Sequence, residues 1–170
     1  LERLKRGFGG SLASTGELAG DWRSPRVRGQ AQARALTLPG GVSVAALALD
    51  ADAQADLDAP FRVHLEASDV RAGGQTLDAL KLALDGRRAA HAVVLDASAR
   101  GRRLTLAAHG GLDAALAWRG TLDRARLDGD WPLELTAPAS VFLARERQRI
   151  DGVSLRQGDT RVTIDYAEHG

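Results

Sequence analysis

The sequence predicts an all-β chain, a meander of antiparallel strands, and three observations carry that prediction. Apolar residues recur at every second position in run after run, Gly, Pro and Asp-Gly steps separate the runs, and no amphipathic stretch is long enough to make a helix that could cover a sheet. Period two is the strand signature because successive side chains along an extended backbone point to opposite faces; a helix would distribute the same residues right round its axis.

The first segment, Leu1 to Arg6, reads as a possible helical turn. The clearest alternation follows at Leu47, Leu49, Ala51, Ala53, Ala55 and Leu57, with Asp50, Asp52, Gln54, Asp56 and Asp58 between them. It returns in Phe61, Val63, Leu65 and Ala67, in Leu80, Leu82 and Leu84, in Val93, Leu95 and Ala97, and in Leu104, Leu106 and Ala108. Further runs are Leu112, Ala114, Leu116 and Trp118, then Trp131, Leu133 and Leu135, and last Val162, Ile164 and Tyr166. Turns are expected at Gly40-Gly41, Gly73-Gly74 and Gly110-Gly111, and at Asp85-Gly86, Asp128-Gly129 and Asp151-Gly152, since tight hairpins require positive φ. Pro25, Pro39, Pro60 and Pro138 fall between runs, and Pro132 marks a strand's first residue or an edge, because proline cannot donate to a ladder. Ser140 to Ile150 admits a short helix capped by Ser140 or a charged edge strand, and the strand is preferred.

At 170 residues the chain is about one domain, read as a single β-rich segment over 1–170. It has no Met, so it reads as a processed chain or a piece of a longer one, and no window approaches the roughly 18 apolar residues of a membrane helix. A net charge of +1 excludes a strongly basic nucleic-acid binder. The absence of Cys excludes disulfides, thiolate metal sites and cysteine nucleophiles. Only three Phe, three Trp and one Tyr are present, so a core of small aliphatics points to a thin, repetitive or elongated fold.

Catalytic chemistry finds no foothold. His64, His91, His109 and His169 are not at metal-ligand spacing, and each reads as structural or solvent-facing. Ser43, in Gly41-Val42-Ser43-Val44-Ala45, lies inside an alternating run with no helix behind it, unlike a nucleophile elbow. Gly7, Gly9 and Gly10 complete no dinucleotide fingerprint. Asp50, Asp52, Asp56 and Asp58 on a straight strand would be spread about 6.6 Å apart per alternate residue, too far to converge on one ion. The pairs Arg87-Arg88 and Arg102-Arg103 lack interleaved aromatics, so nucleic acid is not expected; they keep turns soluble, protect edges or meet anionic groups such as lipid headgroups. No cofactor, metal or catalytic residue is expected.

What remains is a long apolar stripe. If consecutive strands pair in register, these residues share one face, which must be buried against a second sheet, helices or a ligand. With no covering helix, the sheet either folds over as a sandwich or barrel or curls into a trough for an apolar ligand. Echoes such as Leu18-Ala19-Gly20-Asp21-Trp22 with Leu127-Asp128-Gly129-Asp130-Trp131 indicate degenerate repetition of strand units.

Gly16-Glu17-Leu18-Ala19-Gly20-Asp21-Trp22-Arg23-Ser24-Pro25, followed by Gly29-Gln30-Ala31, resembles a repeat of the TamB family in the AsmA-like group. Trp118-Arg119-Gly120-Thr121-Leu122, Trp131-Pro132-Leu133-Glu134-Leu135 and Pro138-Ala139 resemble that family's W-x-G-x-L and W-x-L-x-x-P-A patterns. The resemblance covers about Gly16 to Val141 and is weakest from Ser140 to Gly170. It implies an internal section of a periplasmic shaft in a protein anchored in the Gram-negative inner membrane: an elongated sheet curled lengthwise into a U-shaped groove. It also implies phospholipid acyl chains as cargo, a role in outer-membrane biogenesis, and the outer-membrane barrel TamA as a partner reached through another region. The expected lining is Leu47, Leu49, Leu57, Phe61, Val63, Leu65, Leu82, Leu84, Val93, Leu95, Leu104, Leu106, Leu116, Trp118, Leu133 and Leu135. An acyl chain needs a dry lining without polar donors, and at about 25 cal/mol per Å² a sheathed tail gains several kcal/mol without species specificity.

Overall fold

The structure, a computed structural model, describes residues 9–20, 25–54, 56 and 58–169. Every regular element is a strand: β1 (Gly9–Ala19), β2 (Arg26–Leu38), β3 (Val42–Gln54), β4 (Phe61–Ala72), β5 (Gln75–Arg87), β6 (Ala90–Ala99), β7 (Arg102–Leu112), β8 (Trp118–Asp128), β9 (Leu133–Leu135), β10 (Ala139–Ala144), β11 (Arg147–Gln157) and β12 (Thr160–His169). They form one antiparallel sheet in the order β1 to β8, then β10, β11 and β12, with the short β9 bridging β8 and β11. Residues 1–8, 21–24, 55, 57 and 170, and with them the expected turn at Leu1–Arg6, Trp22 and the lining residue Leu57, lie outside the described residues.

Neither a sandwich nor a closed barrel forms. Substantial contacts run only between hydrogen-bonded strands, and β1 and β12 end the sheet without meeting each other. The accessible surface is 12102 Å², against about 8,000 Å² for a compact protein of this mass. The interior is correspondingly sparse. The buried apolar residues are small or at the margin (Ala33, Val44, Ala67, Ala117, Leu135 and Ala139), and no large side chain is below 2% exposed. Stability therefore rests on ladder hydrogen bonds and cross-strand pairs rather than on a jigsaw core.

Several turns fall elsewhere than expected. Gly40-Gly41, Gly73-Gly74 and Asp128-Gly129 close or leave strands as expected, but Asp85-Gly86 lies inside β5 and Gly110-Gly111 inside β7. Asp151-Gly152 is a bulge within β11, with Gly152 at φ 74 and the register shifting between Ile150 and Val153. The alternation at the end of β3 gives way to a turn, because Asp56 accepts from the Asp58 amide at 2.9 Å. Leu116 likewise leaves the sheet: Asp113 accepts from the Ala115 and Ala117 amides at 2.8 and 3.0 Å, and the resulting loop holds Leu116 exposed at φ 59. Ser140 to Ile150 is a hairpin, β10 to β11, inside the sheet rather than at its edge.

Candidate functional site: an uncovered apolar face

Register, more than alternation, assembles the face. Leu49, Leu65, Leu82, Leu95 and Leu106 stand opposite one another through β3 to β7. A parallel row runs Leu47, Ala67, Leu80, Ala97, Leu104, Leu127, Leu133, and a third runs Ala51, Val63, Leu84, Val93, Ala108, Leu122, Ala139. At about 4.8 Å per strand, the first row alone is about 19 Å long. Leu47, Leu49, Val63, Leu65, Leu82, Leu84, Val93, Leu95, Leu104, Leu106 and Leu133 are all half-buried, screened by row neighbours, and no other element among the described residues lies over them. Leu135 is buried opposite Leu155.

The rows are longer than alternation suggests because the sheet changes phase along a seam. Ala35, Ala45, Asp69 and Asp78 are skipped by the ladders of β2 to β5, and Ala35 and Asp69 adopt φ of 50 and 48. One residue of each strand is thus left out of the ladder without a change of register, with left-handed backbone in β2 and β4. Beyond the seam the apolar row is Leu36, Val44, Val70 and Leu77, each three residues from its predecessor on the face (Ala33, Leu47, Ala67, Leu80) instead of two. Strict period-two counting puts these four on the wet side. The available signal was apolar spacing of three in four consecutive strands.

At the other end of the strands the face is closed by a ring cluster. Phe61, Gly86, His91, Gly110 and Gly120 are successive cross-strand partners. Gly110 and Gly120 leave room for the Trp118 indole, since a Cβ on Gly110 would lie 2.6 Å from Trp118 Cζ2 and one on Gly120 would collide with the same ring, while Gly86 makes room for His91 and the Ala90 carbonyl. Trp118 Nε1 donates to His91 Nε2 at 2.9 Å, and His91 Nδ1 is 3.1 Å from the Arg87 carbonyl. Indole N–H only donates, so this pattern calls for the tautomer with the proton on Nδ1. Phe61 and Trp118 flank the buried imidazole, with ring centroids 5.8 and 6.4 Å away. His91 is thus the hub of a structural cluster, and Gly86, Gly110 and Gly120 serve packing rather than turning. Alternation could not show this, because the cluster joins five strands.

The opposite face is laid out in charge. Arg28, Asp52, Arg62 and Asp85 are direct cross-strand neighbours, and Glu66 faces Lys81, which faces Asp96. Arg26 and Arg28 reach Asp52 at 2.6 and 2.8 Å, and their hydrogen bonds hold its carboxyl far below the ordinary carboxylate range. Arg62, at 2.9 Å, lowers Asp85 in the same way, helped by His64. A depressed carboxylate pKa contributes stability that is present above the unfolded value and lost as pH falls toward the folded one. Asp52→Asn is therefore expected to lower the urea midpoint slightly at pH 7, with the gap to the unsubstituted chain narrowing below about pH 4 and shrinking with salt. A gap unchanged down to pH 2 would contradict this. Asp56 and Asp58 lie in a turn, Asp58 pairing with Arg88 at 3.2 Å, and no metal-holding group of acidic or His side chains occurs among the described residues.

The family model described as TamB, N-terminal domain, matches residues 1–162. The chain belongs to the TamB family. The match runs through most of the region after Ser140 where the sequence resemblance was weakest. No curated protein and no solved structure matches the chain. TamB proteins are components of outer-membrane assembly and lipid transport, associated with the TamA system, and span the periplasm from the inner membrane; they are not known as enzymes. Among the described residues no helix is long and apolar enough to cross a membrane. The family's motifs now have physical reasons. Gly16 and Gly29 of the TamB repeat face each other across β1 and β2, where a Cβ on either would press a carbonyl at 3.2–3.3 Å. In W-x-G-x-L, Gly120 is the floor beneath Trp118, and Leu122 pairs with Ala139 of the second motif, which is 1% exposed.

Proposed function

We propose that this chain is a non-enzymatic section of a periplasmic shaft whose apolar face carries phospholipid acyl chains between the membranes, in a protein anchored in the inner membrane and working with TamA through another region. The observation that carries the reading is the set of continuous aliphatic rows, crossing up to seven strands, that no other element among the described residues covers. Rows running across strands give a smooth path with no deep pocket, which suits passage over storage. The seam supports curling: the skipped residues of β2 to β5, left-handed in the alternate strands β2 and β4, fall on one line, along which a sheet closes lengthwise into a U. Small side chains there, Ala33 and Ala67, leave the trough open.

Photocrosslinking in the full-length protein tests this. A photoreactive residue at Leu106 is expected to capture phospholipid, and one at Ala107, on the charged face, is not. Adducts at Ala107 with none at Leu106 would overturn the lining. A second reading is a β-module that receives unfolded outer-membrane strands by edge pairing. Edge amides protected by such peptides, without lipid capture at Leu106, would favour it.

A further inference from the structure

The two ends of the apolar face differ in charge. At the Phe61–His91–Trp118 end, Arg26, Arg28, Arg62, Arg88 and Arg119 each face a carboxylate within 4 Å, while Arg87 there has no ion-pair partner among the described residues. At the end marked by the β6–β7 turn the pattern reverses. Arg100 has no ion-pair partner among the described residues, and Arg102 has only Asp130, 3.7 Å away and 83% exposed. Their neighbour Arg103 is spent on Asp96, on the charged face.

Arg100 and Arg102 border a concavity of about 330 Å³ floored by Leu77, Ala97, Leu104 and Leu127. Those four belong to the aliphatic rows, so the concavity is the rim of the apolar face rather than a separate pocket. Backbone geometry fixes both arginines there. Arg100 is held at φ 51 by its amide donating to Asp78 Oδ2 at 2.9 Å, which turns the chain at the end of the seam. Arg102 stands two residues before Leu104, on the same face, and its Cγ occupies the space that a Cβ on Gly129 would fill at 2.8 Å. An aliphatic floor, two guanidiniums at its lip and no strong competing carboxylate complement one kind of ligand: an acyl chain ending in an anionic phosphate.

We infer that Arg100 and Arg102 form a headgroup station on the rim of the apolar face, holding the phosphate of an anionic phospholipid while its tail lies over Leu104 and Leu127. The inference rests on the apolar face accepting acyl chains and adds to it a preference for anionic lipids. It also gives the face an asymmetry: the ring-clustered end is closed, and the arginine end meets the headgroup.

The test is equilibrium binding to the full chain of 1-myristoyl-lysophosphatidylglycerol, kept below its micelle concentration, beside 1-myristoylglycerol, which has the same tail and no charge. The anionic lipid is expected to bind more tightly, with an affinity that falls with salt. The double variant Arg100→Gln/Arg102→Gln is expected to lose about tenfold for the anionic lipid, the scale of charge-assisted hydrogen bonds, and nothing for the uncharged one. Arg26→Gln/Arg28→Gln, at the closed end, controls for general loss of positive charge, and far-ultraviolet circular dichroism checks that the strands persist. Equal losses for both lipids, an equal loss in the control variant, or no loss at all would overturn the station while leaving the apolar face as cargo surface. Failure of both lipids to bind the unsubstituted chain would overturn the lining and the station together.

Discussion

Replacing Gly120 with Ala is expected to destabilise the chain by about 3 kcal/mol, the upper part of the range for overpacking. The added methyl would meet the His109 carbonyl and the Trp118 ring at once, with Trp118 Cζ2 2.7 Å away. A backbone carbonyl in a ladder cannot retreat, so the indole must leave. Its departure leaves His91 Nε2 without its donor and removes the Trp118 ring from one side of the imidazole. Against the usual total of about 5–15 kcal/mol, this is a large fraction, and the thin sheet has no second layer to absorb it. Urea unfolding followed by tryptophan emission measures it. A loss under about 1 kcal/mol would show that the ring cluster contributes little. Gly40→Ala at a hairpin tip is the comparison: there a Cβ meets nothing, and only the φ of 87 opposes it.

Leu84→Asp is expected to separate function from folding. Leu84 lies between Val63 and Val93 in the third apolar row and is half-buried, so a carboxylate there keeps part of its water. The cost in stability should be about 1–2 kcal/mol, below the 2–5 of a fully buried Leu→Ala change. A fixed charge in a path for acyl chains is a different matter, because a tail passing it gains no compensating partner. Phospholipid transport in cells dependent on this protein should fall at least tenfold, while folded protein in the envelope stays above half. Val94→Asp, one strand over on the charged face and 46% exposed before substitution, should leave transport unchanged. Equal loss of transport in both variants, or loss of Leu84→Asp protein in proportion to its transport, would make Leu84 a packing residue and remove the case for a conducting face.

The contrast between these two positions follows from a one-layer sheet. In a compact domain, a Leu in a row of five would be a core residue, and its function and stability would fall together. Here the aliphatic rows are half-buried by one another, and the tightest packing sits at the edges of the face, in the small residues near the seam and in the ring cluster. Folding determinants and proposed cargo surface therefore occupy different residues.

The strand character of the chain and the composition of its two faces were legible from alternation alone. Side-chain direction is a local property of extended backbone, so Leu47 and Leu49 with Asp50 and Asp52 already specify a wet and an apolar side. The family was legible too, through Trp118, Gly120, Trp131 and Pro138. What tertiary structure alone decided depends on register between strands. Gly86 and Gly110 look like turn residues in the sequence and prove to be clearances, Gly86 for the Ala90 carbonyl and His91 and Gly110 for the Trp118 ring, because what they meet lies on the neighbouring strand. Leu36, Val44, Val70 and Leu77 join the apolar face only because one residue of each strand, left-handed at Ala35 and Asp69, is skipped by the ladders between them and their neighbours. Which arginines are spent and which stand free was likewise undetermined until cross-strand pairing set Arg103 against Asp96 and left Arg100 without an ion-pair partner among the described residues. A strand's own sequence fixes which way its side chains point; only its neighbours fix what they meet.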